Sequence, residues 1–206
     1  MKQRCQWSES DPLYVRYHDE EWGVPEYDDQ ALFAKLLLDG AQAGLSWLTI
    51  LKKREGYYRA FDNFDPEKIA RYNGNRIESL LCNREIVRNR LKIEAAVLNA
   101  QSFLELKSEG LSFGSFLWGF VGGSTRHNYW NDLRAVPSKT KESEEMSKAL
   151  KIRGFRFVGP TICYAFMQAV GMVNDHLVRC YRHEELMKPT CYSDPGSAPS
   201  LLGRTG

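Results

Sequence analysis

Two cysteines and two histidines lie at opposite ends of this chain: Cys5 and His18 near the start, His176 and Cys180 near the end. Two thiols and two imidazoles form a closed tetrahedral donor set of the kind that binds structural zinc. His176 and Cys180 are four residues apart, so a helix would project both from one face. His183 shares that face and competes for the role. If the four residues meet, one ion ties the first turn of the protein to its last helix. The competing reading is buried thiols and surface histidines without a metal, and the absence of C-x-x-C keeps it open.

A single acid is the second candidate. In the stretch from Leu36 to Trp47, positions 32, 36, 39 and 43 fall on one helical stripe, and three of the four are apolar. Asp39 therefore points where core or a pocket wall belongs. A carboxylate buried there is either satisfied locally or held for function. No second carboxylate stands at the spacing that paired acid/base glycoside chemistry needs. Three basic clusters could meet phosphate: Lys52-Lys53-Arg54, the run from Arg84 to Lys92 with Arg88 and Arg90, and Lys148 to Arg156. The middle one matters for its setting, a short link (Asn83 to Val87) between two helices. A hairpin of that kind presents backbone N–H groups and flanking cations to a phosphate. Charge runs are otherwise ordinary solvated helix faces.

These residues have to be positioned by helices, because start and stop signals for helices recur and no convincing strand alternation is present. Asp11-Pro12 reads as an N-cap with proline at the first helical position, ended by Gly23-Val24-Pro25. Asp28 or Asp29 caps a helix that runs to Gly44, and Ser46 starts a short one through Leu51. Asp65-Pro66 repeats the cap-plus-proline start. A long helix is predicted from Arg88 to Glu109, and a short apolar one around Phe113–Phe120. Residues 122–139 read as the longest internal loop. Further helices are predicted from Glu142 to Arg153, from Pro160 to Gly171, and from Asn174 or Asp175 through Leu186. The expectation is an all-α domain over residues 1–188, in two helical lobes. Residues 189–206, rich in Pro, Gly and Ser, read as a disordered tail.

The bulk numbers bound the function. At 206 residues the chain is long enough for one well-packed domain. Five cysteines, an odd count without framework spacing, fit a reducing compartment. No apolar run is long enough for a membrane span and no leader precedes Cys5, so a cytoplasmic protein is expected. A net charge of +2 does not by itself mark a nucleic-acid binder. The aromatic residues, 12% of the chain, crowd the first quarter at Trp7, Tyr14, Tyr17, Trp22, Tyr27, Phe33 and Trp47.

Taken together, several motifs resemble the type I DNA-3-methyladenine glycosylases, of the helix-hairpin-helix superfamily. They are Arg4-Cys5-Gln6-Trp7, the segment from Asp11 to Pro25 (DPLYVRYHDEEWGVP), Gln42-Ala43-Gly44-Leu45-Ser46-Trp47, Ile86-Val87-Arg88-Asn89-Arg90, the segment from Gly154 to Tyr164 (GFRFVGPTICY), and Val173-Asn174-Asp175-His176. The match spans roughly residues 4 to 187. The resemblance implies a structural zinc on Cys5, His18, His176 and Cys180, with His183 a bystander. It implies an aromatic base pocket at Trp7, Tyr14, Tyr17 and Trp47, Leu45 as the residue that fills the gap in the duplex, and Asp39 as the pocket acid. Trp22 is expected to pack beneath the zinc site. The family usually has glutamate at position 39, so the shorter aspartate must sit closer to the base or act through water. The implied function is removal of 3-methyladenine from alkylated double-stranded DNA by a monomeric, monofunctional enzyme that leaves an abasic site, with free 3-methyladenine as product. No lysine is placed by the motifs as a Schiff-base nucleophile. The alternative is a relative that binds alkylated DNA or bases without excision. A non-enzymatic zinc-bearing helix-turn-helix protein fits less well, because near-neutral charge and aromatics gathered around one acid do not suit it.

Overall fold

The computed structural model describes residues 2–188; the tail from 189 falls outside them. Among the described residues ten α-helices follow in order: α1 Pro12–Glu20, α2 Asp29–Gln42, α3 Trp47–Ala60, α4 Pro66–Ile69, α5 Gly74–Cys82, α6 Arg90–Ser108, α7 Phe113–Trp118, α8 Lys141–Ile152, α9 Pro160–Ala169 and α10 Tyr181–Glu185. Most of the predicted starts are made by the expected side chains. Asp11 accepts from Leu13 N at 2.9 Å with Pro12 behind it, Asp28 from Ala31 N at 2.8 Å, and Ser46 from Thr49 N at 3.3 Å. Thr140 and Ser143 form a reciprocal capping box at the start of α8.

Helix α2 lies at the centre, against α3, α6, α7 and α9. Leu32, Phe33, Leu36, Leu37 and Leu38 are all buried, so the helix is apolar nearly all round, as a central helix must be. Asp29, at its first turn, reaches across to cap α7 by accepting from Ser112 Oγ, Phe113 N and Gly114 N at 2.7–3.1 Å. The central helix thereby fixes the orientation of a neighbour as well as filling the core.

Three expectations are corrected. The chain is mostly rather than wholly helical, because Arg126–His127 (β1) pairs in parallel with Val173–Asn174 (β2). β1 lies inside the segment read as loop and β2 just before the last predicted helix, and two residues are too few for an alternation to show in sequence. Helix α3 does not stop near Leu51 but runs to Ala60, with Ile50, Leu51, Tyr57 and Ala60 on its buried side. Its polar stretch Lys52–Glu55 is an exposed face rather than a terminus. Finally, no helix carries His176 and Cys180, since α10 begins only after Cys180, its N-cap. The segment is a turn anchored by polar groups. Asn174 Oδ1 accepts from His176 N at 3.3 Å, Val178 N donates to Trp130 O at 2.9 Å, and Cys180 N donates to Leu177 O at 2.7 Å.

The hairpin 83–89 between α5 and α6 is seated on α3 through a glycine. A Cβ on Gly56 would lie 2.6 Å from Glu85 Cβ and 2.7 Å from its carbonyl oxygen. Ile86 is buried beneath the turn, and Val87 N donates to Tyr57 Oη at 3.2 Å. Gly56→Ala is therefore expected to push the hairpin off α3 and to cost about 1–3 kcal/mol of stability, as overpacking does. Denaturant unfolding measures this, and an unchanged midpoint would show that the contact relaxes freely.

Candidate functional site

Cys5, His18, His176 and Cys180 are all buried, and their ligand atoms lie within 4.8 Å of one another. Cys180 Sγ is 3.4 Å from His18 Nε2 and 3.5 Å from His176 Nδ1, and Cys5 Sγ is 3.8 Å from His176 Nδ1. Zinc bonds of 2.0–2.3 Å in a tetrahedron imply ligand–ligand edges of roughly 3.6 Å, which these three separations already match. The imidazole nitrogens facing away from the group are both engaged. His18 Nδ1 lies 2.8 Å from Asp19 Oδ1, and His176 Nε2 3.1 Å from Trp22 O. Partners of this kind set the tautomer and hold the ring in orientation. Asp19 is gripped in turn by Arg4 at 2.7–3.0 Å. Partial burial would raise its pKa, but the hydrogen bonds from Arg4 and His18 hold it well below the usual carboxylate range. The hydrogen bond between the two thiols, with burial, pushes Cys5 up. That same bond, helped against burial by both imidazoles, favours Cys180 as thiolate. His183 takes no part, its Nε2 lying 2.7 Å from Asn128 O.

Trp22 connects this group to a cleft. Its ring lies 4.5 Å from His176 and 5.1 Å from Trp7. Beyond it, a cavity of about 340 Å³ is walled by Trp7, Tyr14, Tyr17, Lys35, Asp39 and Trp47, with Gln42 and residues of α9 closing the sides. All four sequence-predicted pocket aromatics thus meet in one cavity, together with the predicted acid. Trp7 and Tyr14 pack edge to face at 5.6 Å, and Tyr17 and Trp47 lie 5.5 Å apart. Tyr14 Oη accepts from Leu48 N at 2.9 Å, which ties α1 to the start of α3 and leaves its own proton free to donate. Burial, and then the proximity of Asp39, push Tyr17 well above the usual tyrosine range, so it remains a phenol.

Two polar atoms of this wall are buried without a hydrogen-bond partner: Asp39 Oδ2, an acceptor, and Trp47 Nε1, a donor. Groups left in that state cost free energy that a ligand can recover. Asp39 Oδ1 is taken by the ammonium of Lys35, one turn earlier on α2. Burial raises Asp39 against the pull of Lys35, and burial lowers Lys35 against the pull of Asp39. The second buried carboxylate of the cavity, Asp175, is satisfied by four donors, Asn128, Trp130, Tyr164 and Gln168, at 2.6–2.8 Å. It is a structural anchor for the 174–180 turn, whereas Asp39 has an oxygen to spare.

At the end of α2, Asp39 and Gln42 also border a second pocket, lined by Gly44 and Leu45. There Leu45 follows Gly44, whose φ is +77°, and is 41% exposed, an apolar side chain held out to solvent. Arg84 and Arg88 are exposed on the hairpin. Arg90 is engaged with Glu78 at 2.6 Å and Glu94 at 3.5 Å. Lys92 is diverted inward, donating to the carbonyls of Ala41 and Ala43 at 2.8 and 2.6 Å, where it caps α2. The cluster at 52–54 is committed as well. Lys52 pairs with Asp11, Lys53 donates to Arg84 O, and Arg54 pairs with Glu21. Arg156 is exposed on a loop whose backbone is clamped on both sides by Asn99.

Sequence reasoning missed Lys35, Gln42, Gln168 and Asp175. Lys35 carried a legible signal, since it lies four residues before Asp39, and Gln42 and Asp175 lie within the matching motifs 42–47 and 173–176.

Fold and site define a helical protein with a hairpin between two of its helices and an aromatic, acid-bearing pocket. A family model described as methyladenine glycosylase matches residues 7–183. The DNA-3-methyladenine glycosylase of Haemophilus influenzae is 50% identical over 180 residues, covering 87% of this chain and 97% of that protein. A crystal structure of a 3-methyladenine DNA glycosylase I superposes with a TM-score of 0.86 at 50% identity, covering 87% of this chain and 98% of the other. A structure addressing 3-methyladenine recognition by the Staphylococcus aureus glycosylase I gives 0.84 at 40% identity, covering 86% and 95%. The chain belongs to the methyladenine glycosylase family.

Proposed function

We propose that this protein is a DNA glycosylase that removes 3-methyladenine from alkylated double-stranded DNA, as its relatives' names describe, and that one chain suffices. A cytoplasmic location, where its DNA substrate would lie, accords with the bacterial relatives. The observation that carries the reading is the pair of orphaned polar atoms, Asp39 Oδ2 and Trp47 Nε1, in an aromatic wall. An adenine edge offers an amino donor beside a ring-nitrogen acceptor, which is the complement of that pair. Methylation at N3 makes the base cationic and weakens its bond to the sugar. Recognition and modest transition-state stabilisation then suffice, in keeping with a site that has one acid to spare. The C1′–N9 bond breaks with its electron pair leaving on the base, water adds to C1′, and the water's proton is released. The products are neutral 3-methyladenine and an abasic site.

Each wall residue has a part in this scheme. Trp7, Tyr14, Tyr17 and Trp47 stack on the electron-poor ring, at roughly 1–3 kcal/mol per stacked base, with cation–π attraction adding to it. Asp39 accepts from the base and supplies the opposite charge. Leu45 enters the gap left in the duplex and offsets part of the unstacking cost. Arg84 and Arg88 meet the phosphates from the hairpin, and Arg90 joins them by giving up its pairing to Glu78. Zinc is the ion that best suits the Cys5, His18, His176 and Cys180 donor set. Four protein ligands close its shell, so its contribution when bound is structural.

Calorimetric titration with free 3-methyladenine tests the pocket. Trp47→Ala should weaken binding by about 5- to 150-fold, the equivalent of 1–3 kcal/mol, with zinc content unchanged. Equal affinity would remove Trp47 from the pocket. Because the Lys35 ammonium is held on Asp39, borohydride should trap no protein–DNA adduct. An adduct lost in Lys35→Met would contradict the monofunctional assignment.

A further inference from the structure

Lys35 is the one basic residue in the wall of the cavity. Its side chain is 17% exposed, and its ammonium contacts Asp39 Oδ1 while lying 4.2 Å from the centre of the Trp47 ring. On its other side Lys35 borders a second cleft of about 290 Å³ that is also lined by Glu21, Arg54 and Tyr58. It therefore forms part of a partition, with Tyr17 and Trp47, between the base pocket and that cleft. A lysine confined in this way cannot be an incidental surface charge.

We propose that Lys35 is a positioning residue for base recognition, holding Asp39 as a carboxylate with Oδ1 occupied so that Oδ2 is kept as an acceptor for the base. The inference rests on the glycosylase reading above and assigns to a lysine what that reading leaves to Asp39 alone. A carboxyl with 3% exposure would take up a proton if it stood without a counter-charge. Other charged and titratable groups nearby do not replace Lys35. Glu21, just after α1, and Arg54 of α3 pair with each other at 2.5 Å. Asp175 is occupied by its four donors. Tyr14, Tyr17 and Tyr58 bring phenols, and Cys163 of α9 is a buried thiol that burial pushes up to about 12. None of these supplies a positive charge to Asp39. Lys35 also occupies a face of Trp47, which restricts that ring to one orientation.

The sign of the pH effect follows. Recognition needs the ionised carboxylate, so activity falls as pH drops through the Asp39 pKa. Without Lys35, burial acts unopposed, that pKa rises, and the loss sets in at higher pH. The test is single-turnover release of 3-methyladenine from methylated duplex DNA between pH 5 and 9, comparing wild type with Lys35→Met and Lys35→Gln. Circular dichroism checks that each variant is folded. The acid limb should move up by at least one pH unit in both variants. Acid limbs that superimpose on wild type would overturn the inference and leave Lys35 a packing residue. A shift in Met but not in Gln would also overturn it, because hydrogen bonding rather than charge would then be the cause. If wild type releases nothing at any pH, the glycosylase reading itself has failed, a result distinct from release with an unmoved limb.

Discussion

Asp39→Asn should lower the rate of 3-methyladenine release by about 100-fold or more, in line with the roughly 2.7–4 kcal/mol lost when one preorganised group facing developing charge is removed. The substitution is nearly isosteric, so the fold should be retained. Lys35 would keep the amide oxygen, which turns the amide nitrogen toward the place where Oδ2 now stands. An acceptor is replaced by a donor, and the negative charge is lost. A base that presents its amino group to this position then meets a second donor. The effect should fall on the bond-breaking step more than on duplex binding, since the hairpin and Leu45 are untouched. Single-turnover rates beside duplex binding by anisotropy separate the two. Full activity in Asp39→Asn would mean that stacking alone suffices and that the buried acid is structural.

Breaking the Cys/His group should have the largest effect on stability. The group joins the turn before α1 to the turn before α10, segments more than 150 residues apart in sequence. It also supports the pocket wall, because Trp22 packs against both His18 and His176 and contacts Trp7. Cys180→Ser should abolish metal uptake and cost about 3–5 kcal/mol, the range for removing one partner of a buried charged cluster. For a domain of this size that corresponds to a fall in Tm of roughly 10 °C or more. The loss is smaller than in zinc fingers, since the core around α2 is built independently of the ion. Native mass spectrometry should find one zinc per wild-type chain and none in the variant. A wild-type chain that binds no divalent metal, with Cys180→Ser melting at the same temperature, would mean that the four residues are held by packing alone.

How far the sequence could be read depended on whether a feature was local. The starts of α1 and α4 were legible because cap and proline lie within one turn of the residues they serve, and that of α2 because its capping aspartate does. The pocket aromatics came from a resemblance and not from periodicity, and the cavity brings together all four. The 176–180 turn was not legible. A spacing of four suits a helix and a turn equally, and what decides between them is Asp175, whose four donors come from residues 128, 130, 164 and 168. Such long-range anchoring leaves no local trace. Lys35 had a trace, four residues before Asp39, but a single lysine on a helix ordinarily reads as solvated. In the basic clusters, Lys52, Lys53, Arg54 and Lys92 make contacts within the chain that a run of charge does not reveal.

The most direct test of the central claim is incubation of wild-type protein with alkylated duplex DNA, with the released bases separated by chromatography. The pocket described here predicts prompt release of 3-methyladenine, with 7-methylguanine left in the DNA. No release by a folded, zinc-loaded protein would contradict it, and would leave a family member that binds damaged DNA without cutting the glycosidic bond.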